Sequence, residues 1–267
     1  MEAYKTRSNS RNSAGQIHNS DSNQRRHSLT AQLTRSARRF SAAFVPQFTK
    51  LDPIPILQKY LCLKIRIIDI RQLQVAVERY VINNAVHFNP IEFEVVDEND
   101  SHIFEISLYP EEMVLNEGTK RILSLTFAET DSDDDGIVIS RIKHPLSGMR
   151  VFEFVERPCS DLIHISSYID QFDRCYIEPV TNSWLRLLMI CGCLFTQVQW
   201  HFKREDKIFA VVRPNKTFLG ENSFKLEWNE QANNELRVIV IAFAMTQMIR
   251  EAFPSLIHIL KEHRLRS

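Results

Sequence analysis

One segment near the C-terminus, residues 236–253, constrains the fold more than any other part of the sequence. Helix-capping residues precede it and Pro254 follows it, so it is expected to form a helix. Residues 238–245 are apolar on every side, and such a helix must be surrounded by protein or by lipid. Only twelve residues separate Arg237 from Arg250; they span about 18 Å of helix against a hydrocarbon core of roughly 30 Å. We therefore favour a helix threaded through the protein interior, with insertion into lipid as the alternative.

The chain before this helix consists of short apolar or alternating segments separated by turn-forming residues, which is typical of β-hairpins. Roughly ten to twelve strands are too many for an open sheet and suit a closed barrel. We predict a mainly β fold, a closed antiparallel barrel of about twelve strands around the C-terminal helix. The hairpins are 91–96 with 103–108, 122–128 with 137–142, and 198–202 with 207–213, and further strands are expected at 75–82, 150–155, 162–166 and 185–190.

The composition and the absence of known motifs argue against several classes of function. The chain has 44% hydrophobic and 25% charged residues, which is ordinary for a globular domain. Lysine plus arginine equals aspartate plus glutamate at 33 each, so we expect no nucleic-acid binding. The six glycines form no phosphate-binding loop, and no catalytic motif occurs. We expect no covalent catalysis, with an enzyme whose site is assembled from distant residues as the alternative.

Residues 1–48 are expected to form a basic arm ahead of a barrel domain, 49–254, and a basic tail, 255–267. Residues 1–50 hold nine lysines and arginines against two acids, and residues 1–28 are too polar to fold. Residues 29–45 have the spacing of a basic amphipathic helix. This helix either packs on the domain or binds an anionic membrane surface. Its lipid-binding candidates are Leu33, Arg35, Arg38, Arg39, Phe40 and Phe44.

Modification sites are also suggested by the sequence. Ser28 and Ser41 each follow a pair of arginines, a spacing that basophilic kinases accept. No apolar leader follows Met1, so a reducing compartment is expected, and the five cysteines show no disulfide or zinc pattern. Cys191 and Cys193 are candidates for lipidation, although buried cysteines are the commoner case.

The order of these elements resembles the tubby-like barrel, and in particular the phospholipid scramblase family. The resemblance covers about residues 51–253. It is carried by the proline-containing segment 51–57, the hairpin 91–106, and the closing order of 202–212, 222–226 and the apolar helix.

The resemblance implies a twelve-stranded barrel around a central helix, at the cytoplasmic face of a membrane, with calcium-stimulated movement of phospholipids between leaflets. The plasma membrane is the expected location, with the cytoplasm as the alternative. Anionic phospholipid is the expected partner, and the arm is a possible docking segment for proteins.

The family's calcium segment corresponds to the stretch before the last helix, which here contains no aspartate, so we expect calcium affinity no tighter than about millimolar. Residues 131–136 open like a calcium loop, but Ile142 stands where a glutamate ligand is needed, which favours an acidic hairpin tip. The candidate metal ligands are Glu221, Asn222, Glu227, Glu230 and Glu235.

Two functions remain open at this point. The first is a scramblase-like membrane protein that moves phospholipid between leaflets. The second is a tubby-like adapter that binds lipid headgroups or a protein and moves no lipid.

The arm gives a prediction that can be tested by cosedimentation with phosphatidylserine vesicles. Deletion of residues 1–48 should remove most of the salt-sensitive binding, since each basic residue near an anionic surface contributes about 1 kcal/mol. Ser28→Glu should weaken binding because it adds negative charge beside the arginines. Unchanged binding by the deletion variant would place the membrane contact elsewhere on the chain.

Overall fold

The computed structural model describes residues 50–82, 88–127, 132–133, 136–157, 160–168, 175–215 and 222–266. Within them the chain forms a closed barrel of twelve antiparallel strands, which confirms the predicted fold class. In chain order, the twelve barrel strands and one additional two-residue strand, β6, are β1 (Cys62–Ile67), β2 (Ile91–Val96), β3 (His102–Leu108), β4 (Met113–Glu117), β5 (Lys120–Phe127), β6 (Ser132–Asp133), β7 (Gly136–Lys143), β8 (Arg150–Glu156), β9 (Ile163–Ser167), β10 (Cys175–Thr181), β11 (Val198–Arg204), β12 (Lys207–Pro214) and β13 (Ser223–Trp228).

The sheet runs in the order β5, β4, β3, β2, β1, β13, β12, β11, β10, β9, β8, β7, and pairing of β7 with β5 closes it. The two-residue β6 pairs only with the start of β7 and stands outside the twelve. Each of the three hairpins expected from the sequence is present, as β2–β3, β5–β7 and β11–β12. Alternation of side chains along each strand places every second residue in the lumen.

Helical segments account for the rest of the described chain. A 3-10 turn, Pro55–Lys59, precedes β1. The helices are α1 (Ile70–Val81), α2 (Ser183–Ile190), α3 (Asn234–Gln247), which continues as a π-helical turn (Met248–Ala252), and α4 (Ser255–Arg266).

The α3 helix fills the barrel lumen. This agrees with the prediction that the segment that is apolar on every side forms a helix in the protein interior. Every residue from Leu236 to Gln247 is buried. Phe243 lies at the centre of an aromatic cluster, with its ring centroid 5.3 Å from those of Phe154 and Phe202 and 5.8 Å from that of Trp200. Aromatic pairs with this edge-to-face geometry stabilise a core beyond the area they bury. The lumen is therefore a packed core rather than a passage.

The first turn of α3 is tied to the segment that leads into the barrel. Burial lowers the pKa of Arg237, and its guanidinium donates to the backbone oxygens of Ala232 and Leu57 at 2.9 and 2.6 Å. It also lies 5.7 Å from the centre of the Trp228 ring, which is cation–π distance. Asn234 hydrogen-bonds both the backbone N–H and the carbonyl of Ile54. These contacts satisfy a buried charge and anchor the helix at this end.

Residues 255–267, which the sequence analysis separates as a basic tail, are mostly part of the folded domain. Residues 255–266 form α4, and Leu256, Ile259 and Leu260 are buried. The Arg264 guanidinium donates through Nε to the carbonyl of Pro110 at 3.0 Å, so α4 is attached to the turn between β3 and β4. The apolar residues on one face of α4 explain why it packs on the barrel.

Two of the strands expected from the sequence are helices. Residues 75–82 belong mostly to α1, which Asp69 caps by accepting a hydrogen bond from the backbone N–H of Arg71 at 2.8 Å. Residues 185–190 belong to α2, capped in the same way by Asn182 on Trp184 at 3.0 Å. The periodicity of a short apolar run does not distinguish a strand from a helix. In these two segments the N-cap residues, Asp69 and Asn182, favour the helix.

The packed lumen leads to a prediction about stability. Replacing Ile241 or Phe243 with Asp should unfold the domain, because an unpaired buried carboxylate costs several kcal/mol, close to the whole free energy of unfolding. Leu146→Asp is the matched control, since this side chain is 80% exposed in the turn between β7 and β8. Urea denaturation followed by circular dichroism measures both. A stable Ile241→Asp or Phe243→Asp protein would contradict an internal helix.

Candidate functional site

The two ends of the barrel differ in what connects the strands. At one end, strands are joined by short turns that include Glu205 and Asp206, both with positive φ. At the other end, β1 leads into α1, β10 leads into α2, and α3 leads through its π-helical turn into α4. We call these the hairpin end and the helical end. Loops and inserted elements at one end of a rigid barrel are the usual position of a functional site.

Exposed apolar side chains are concentrated at the helical end. Of the fifteen large apolar residues that are exposed in the described part of the chain, twelve lie on segments at this end and three at the hairpin end. Scattered exposed apolar residues are normal on a soluble protein, whereas a concentration of them marks an interaction surface. The twelve are Ile68, Ile70, Val75, Val81, Ile82, Tyr109, Ile137, Trp184, Leu187, Met189, Ile190 and Leu265.

The α2 helix contributes the strongest part of this surface. It has six large apolar residues in eight positions and none of them is buried. Trp184, Leu187 and Ile190 are 59%, 47% and 70% exposed. Arg186 is the only Lys, Arg, Asp or Glu between Glu178 and Lys203. Exposure of such an apolar helix to water is unfavourable, because its apolar surface would be stabilised by removal from water.

The two cysteines proposed for lipidation end this exposed helix. Cys191 is exposed and Cys193 is half-buried. Between them Gly192 has φ of 73°, a left-handed conformation that commonly terminates a helix. The backbone N–H of Cys193 donates to the carbonyl of Leu188 at 2.9 Å, which fixes the turn. Lipidation itself stays a prediction.

The sequence analysis predicts a strand at residues 185–190 and does not identify α2 as an exposed surface feature. Asn182 just before the apolar run and Gly192 just after it are the residues that could have identified a capped helix. Its exposure follows only from the tertiary structure.

One cleft lies on each side of α4. One has a volume of about 240 Å³ and separates α4 from α1. Some of its lining groups are used within the fold: Gln72 Oε1 accepts from the backbone N–H of Glu92 at 3.1 Å, and the rings of Phe88 and His263 meet edge to face at 6.1 Å. The second has a volume of about 220 Å³ and separates α4 from the ends of β5 and β7.

The structure does not bring the described metal candidates together. Asn222, at the helical end, donates to the carbonyl of Ala252 at 3.0 Å. Glu227 lies on β13, whereas Glu230 and Glu235 follow it at the hairpin end. Burial raises the pKa of Glu227, but hydrogen bonds from Lys225 and Arg213 outweigh that effect and leave the pKa below its ordinary value.

Across the described ranges, no group of three or more His, Cys, Asp or Glu residues is arranged to hold a metal ion. Glu221 lies outside those ranges.

The remaining site candidates also fall outside the described residues. These are the arm residues Leu33, Arg35, Arg38, Arg39, Phe40 and Phe44, and the phosphorylation candidates Ser28 and Ser41.

A third pocket, of about 270 Å³, lies beside β1 and β13. Cys62 is part of its lining, and burial is the main reason why the pKa of this thiol rises to about 11. A thiol with so high a pKa is a poor nucleophile near neutral pH. The pocket therefore does not favour cysteine chemistry.

Comparison with known proteins adds no relative: no family model, curated protein or solved structure matches the chain. Among the helices that the structure describes, none has both the length and the apolarity needed to cross a bilayer. The scramblase and tubby-like resemblance therefore stays a prediction, and the apolar surface at the helical end is the feature from which a function can be argued.

Proposed function

We propose that this protein is a membrane-binding adapter whose barrel docks onto a phospholipid bilayer through its helical end. The observation that carries the proposal is α2, an apolar helix with no buried side chain. The adapter alternative from the sequence analysis is thus preferred to lipid translocation.

A bilayer is a better occupant than a protein groove because of how α2 is exposed. A helix that docks in a groove presents one apolar face and keeps polar residues on the other. On α2, Trp184, Leu187, Met189 and Ile190 are all exposed, and they occupy more than half of the helix circumference, while Leu185 and Leu188 make the remaining face apolar as well. Eight residues rise about 12 Å, well short of the roughly 30 Å hydrocarbon core, so the helix would enter one leaflet only.

Individual residues of α2 suit the membrane interface. Tryptophan is enriched at the level of the lipid headgroups because its ring is apolar and its N–H is polar. Arg186 has a long side chain that can reach the phosphates while its apolar stem stays near the acyl chains. Burial of one Leu or Ile side chain is worth about 1.5–3 kcal/mol. A few such residues make binding measurable without a spanning helix.

The basic arm supplements this contact in the proposal. Residues 1–50, which contain the arm, have a surplus of seven positive charges, and this charge favours anionic leaflets, which are typical of the cytoplasmic face. Electrostatic attraction is weakened by salt, whereas burial of apolar surface is not. The arm therefore accounts for a salt-sensitive part of binding and α2 for a salt-resistant part.

Trp184 provides a direct test of docking by α2. Trp200 and Trp228 are 3% and 5% exposed, so Trp184 is the only tryptophan of three whose surroundings should change. Phosphatidylserine-containing vesicles should shift the emission of the full chain to shorter wavelength in about 1 M salt, where the arm contributes little. Trp184→Phe should abolish the shift. Leu187→Asp combined with Ile190→Asp should weaken cosedimentation about tenfold or more.

Leu146→Asp is the matched control for these variants, since it changes an exposed apolar residue at the hairpin end. It should bind vesicles as the parent chain does. An unshifted Trp184 emission in the presence of vesicles, or equal loss of binding by Leu146→Asp, would contradict docking through α2.

Lipid translocation, the other function that the resemblance implies, has a separate expected outcome. The lumen is filled by α3, so a phospholipid has no route through the barrel. We expect vesicle binding without loss of asymmetry when the outer or inner leaflet carries a fluorescent lipid, with or without millimolar calcium. Rapid, protein-dependent movement of that lipid would contradict the adapter function and support the scramblase function.

A further inference from the structure

The α2 helix is held between two paired strands. It follows β10 and precedes β11, and Thr181 at the end of β10 is the register partner of Val198 at the start of β11. The chain therefore leaves the barrel wall and returns to it at neighbouring positions. Asn182 caps the first turn of α2, and after its last turn the backbone N–H of Cys193 donates to the carbonyl of Leu188 at 2.9 Å. Both ends of the helix are thus fixed within this connection.

The part of the connection that follows α2 is anchored in the barrel, whereas α2 is not. Leu194 and Thr196 are buried, with 6% and 4% of their surface exposed. The Phe195 ring packs edge to face on Phe224 of β13, with 5.0 Å between the ring centroids. None of the side chains of α2 is buried in this way. The anchored segment therefore supports a preformed apolar helix outside the barrel core.

Charge contributes little to what α2 can recognise. Arg186 is the only Lys, Arg, Asp or Glu residue from position 179 to position 202. A helix that selects anionic membranes carries many basic residues on its polar face. One basic residue near an anionic surface changes affinity about fivefold, whereas each large apolar side chain that leaves water changes it about tenfold or more. Apolar insertion therefore outweighs headgroup charge for this helix.

Insertion of α2 needs space between the lipids. Its six large apolar side chains lie on about 12 Å of helix and would enter one leaflet. Closely packed saturated chains resist this opening, whereas unsaturated chains or strong positive curvature leave gaps between the headgroups. Because α2 is helical before contact, no folding cost differs between one membrane and another. The packing of the lipids is then the main variable that changes the affinity of α2.

We propose that α2 makes this protein selective for loosely packed phospholipid bilayers, which are those with unsaturated acyl chains or high positive curvature. The inference rests on the membrane docking proposed above, and it adds the property of the bilayer that α2 recognises. Attraction to headgroup charge belongs to the basic arm in the proposed function, and salt weakens it. The two contributions can therefore be separated by measuring binding at high salt.

Titration of the full chain with vesicles in about 1 M salt tests the selectivity, with Trp184 emission as the readout. All vesicles consist of phosphatidylcholine, so that headgroup charge does not vary. Dioleoyl vesicles of about 30 nm diameter should bind about tenfold or more tightly than dioleoyl vesicles of about 200 nm. At the larger diameter, dipalmitoyl vesicles should bind more weakly than dioleoyl vesicles, because their saturated chains pack more closely.

Three variants separate apolar volume from charge. Leu187→Ala combined with Ile190→Ala reduces the inserted volume and keeps residues that favour a helix, so it should lose most of the preference for small vesicles. Arg186→Gln should keep the preference and change either affinity by no more than about fivefold. Leu146→Ala is the matched control, since this side chain is 80% exposed at the hairpin end, and it should behave as the parent chain does.

Failure of the selectivity and failure of the docking give different results. Equal affinity for small and large dioleoyl vesicles, with a shifted Trp184 emission, would overturn the selectivity and leave membrane docking intact. So would a preference that the Leu187→Ala, Ile190→Ala chain retains in full, or one that Arg186→Gln abolishes. An unshifted emission with every vesicle, including those that contain phosphatidylserine, would overturn the docking and the selectivity with it.

Discussion

The packing of α3 inside the closed sheet is the interaction on which the rest of the structure depends. Twelve strands enclose a lumen that side chains of the sheet do not fill alone, and the aromatic cluster around Phe243 fills it with helix side chains. Close packing leaves few places for polar groups within the lumen. Thr246 is one of them, and its hydroxyl is paired with that of Ser140 at 2.9 Å and with the carbonyl of Ala242 at 3.0 Å. Arg237 lies at the end of the helix, where carbonyls are within reach.

Because the lumen is filled, a binding site must lie on the outside of the barrel. The segments that connect the strands determine where on the outside there is surface for it. Tight turns such as Glu205–Asp206 leave little surface at the hairpin end. The helical end has room for α1, α2 and α4, since these segments join strands or follow α3 without taking part in the sheet. The barrel thus serves as a rigid support, and none of the side chains of α2 belongs to its buried core.

The proposed surface combines two physical effects with different dependence on conditions. Apolar burial by α2 is nearly independent of salt, whereas the charge of the arm acts through a field that salt screens. The proposed docking therefore has a salt-resistant part and a salt-sensitive part that can be measured separately.

The sequence by itself predicted the barrel with its internal helix, because alternation at period two and all-round apolarity are local patterns that a closed sheet around a short helix satisfies together. It did not determine α1 and α2, whose short apolar runs are compatible with strand or helix. Nor did it reveal the exposure of Trp184, or the cleft formed by Phe127, Ile137 and Lys261. Exposure and cleft lining depend on which distant segments meet. Only the closed tertiary structure decides this, because burial is a property of the whole packing and not of neighbouring residues.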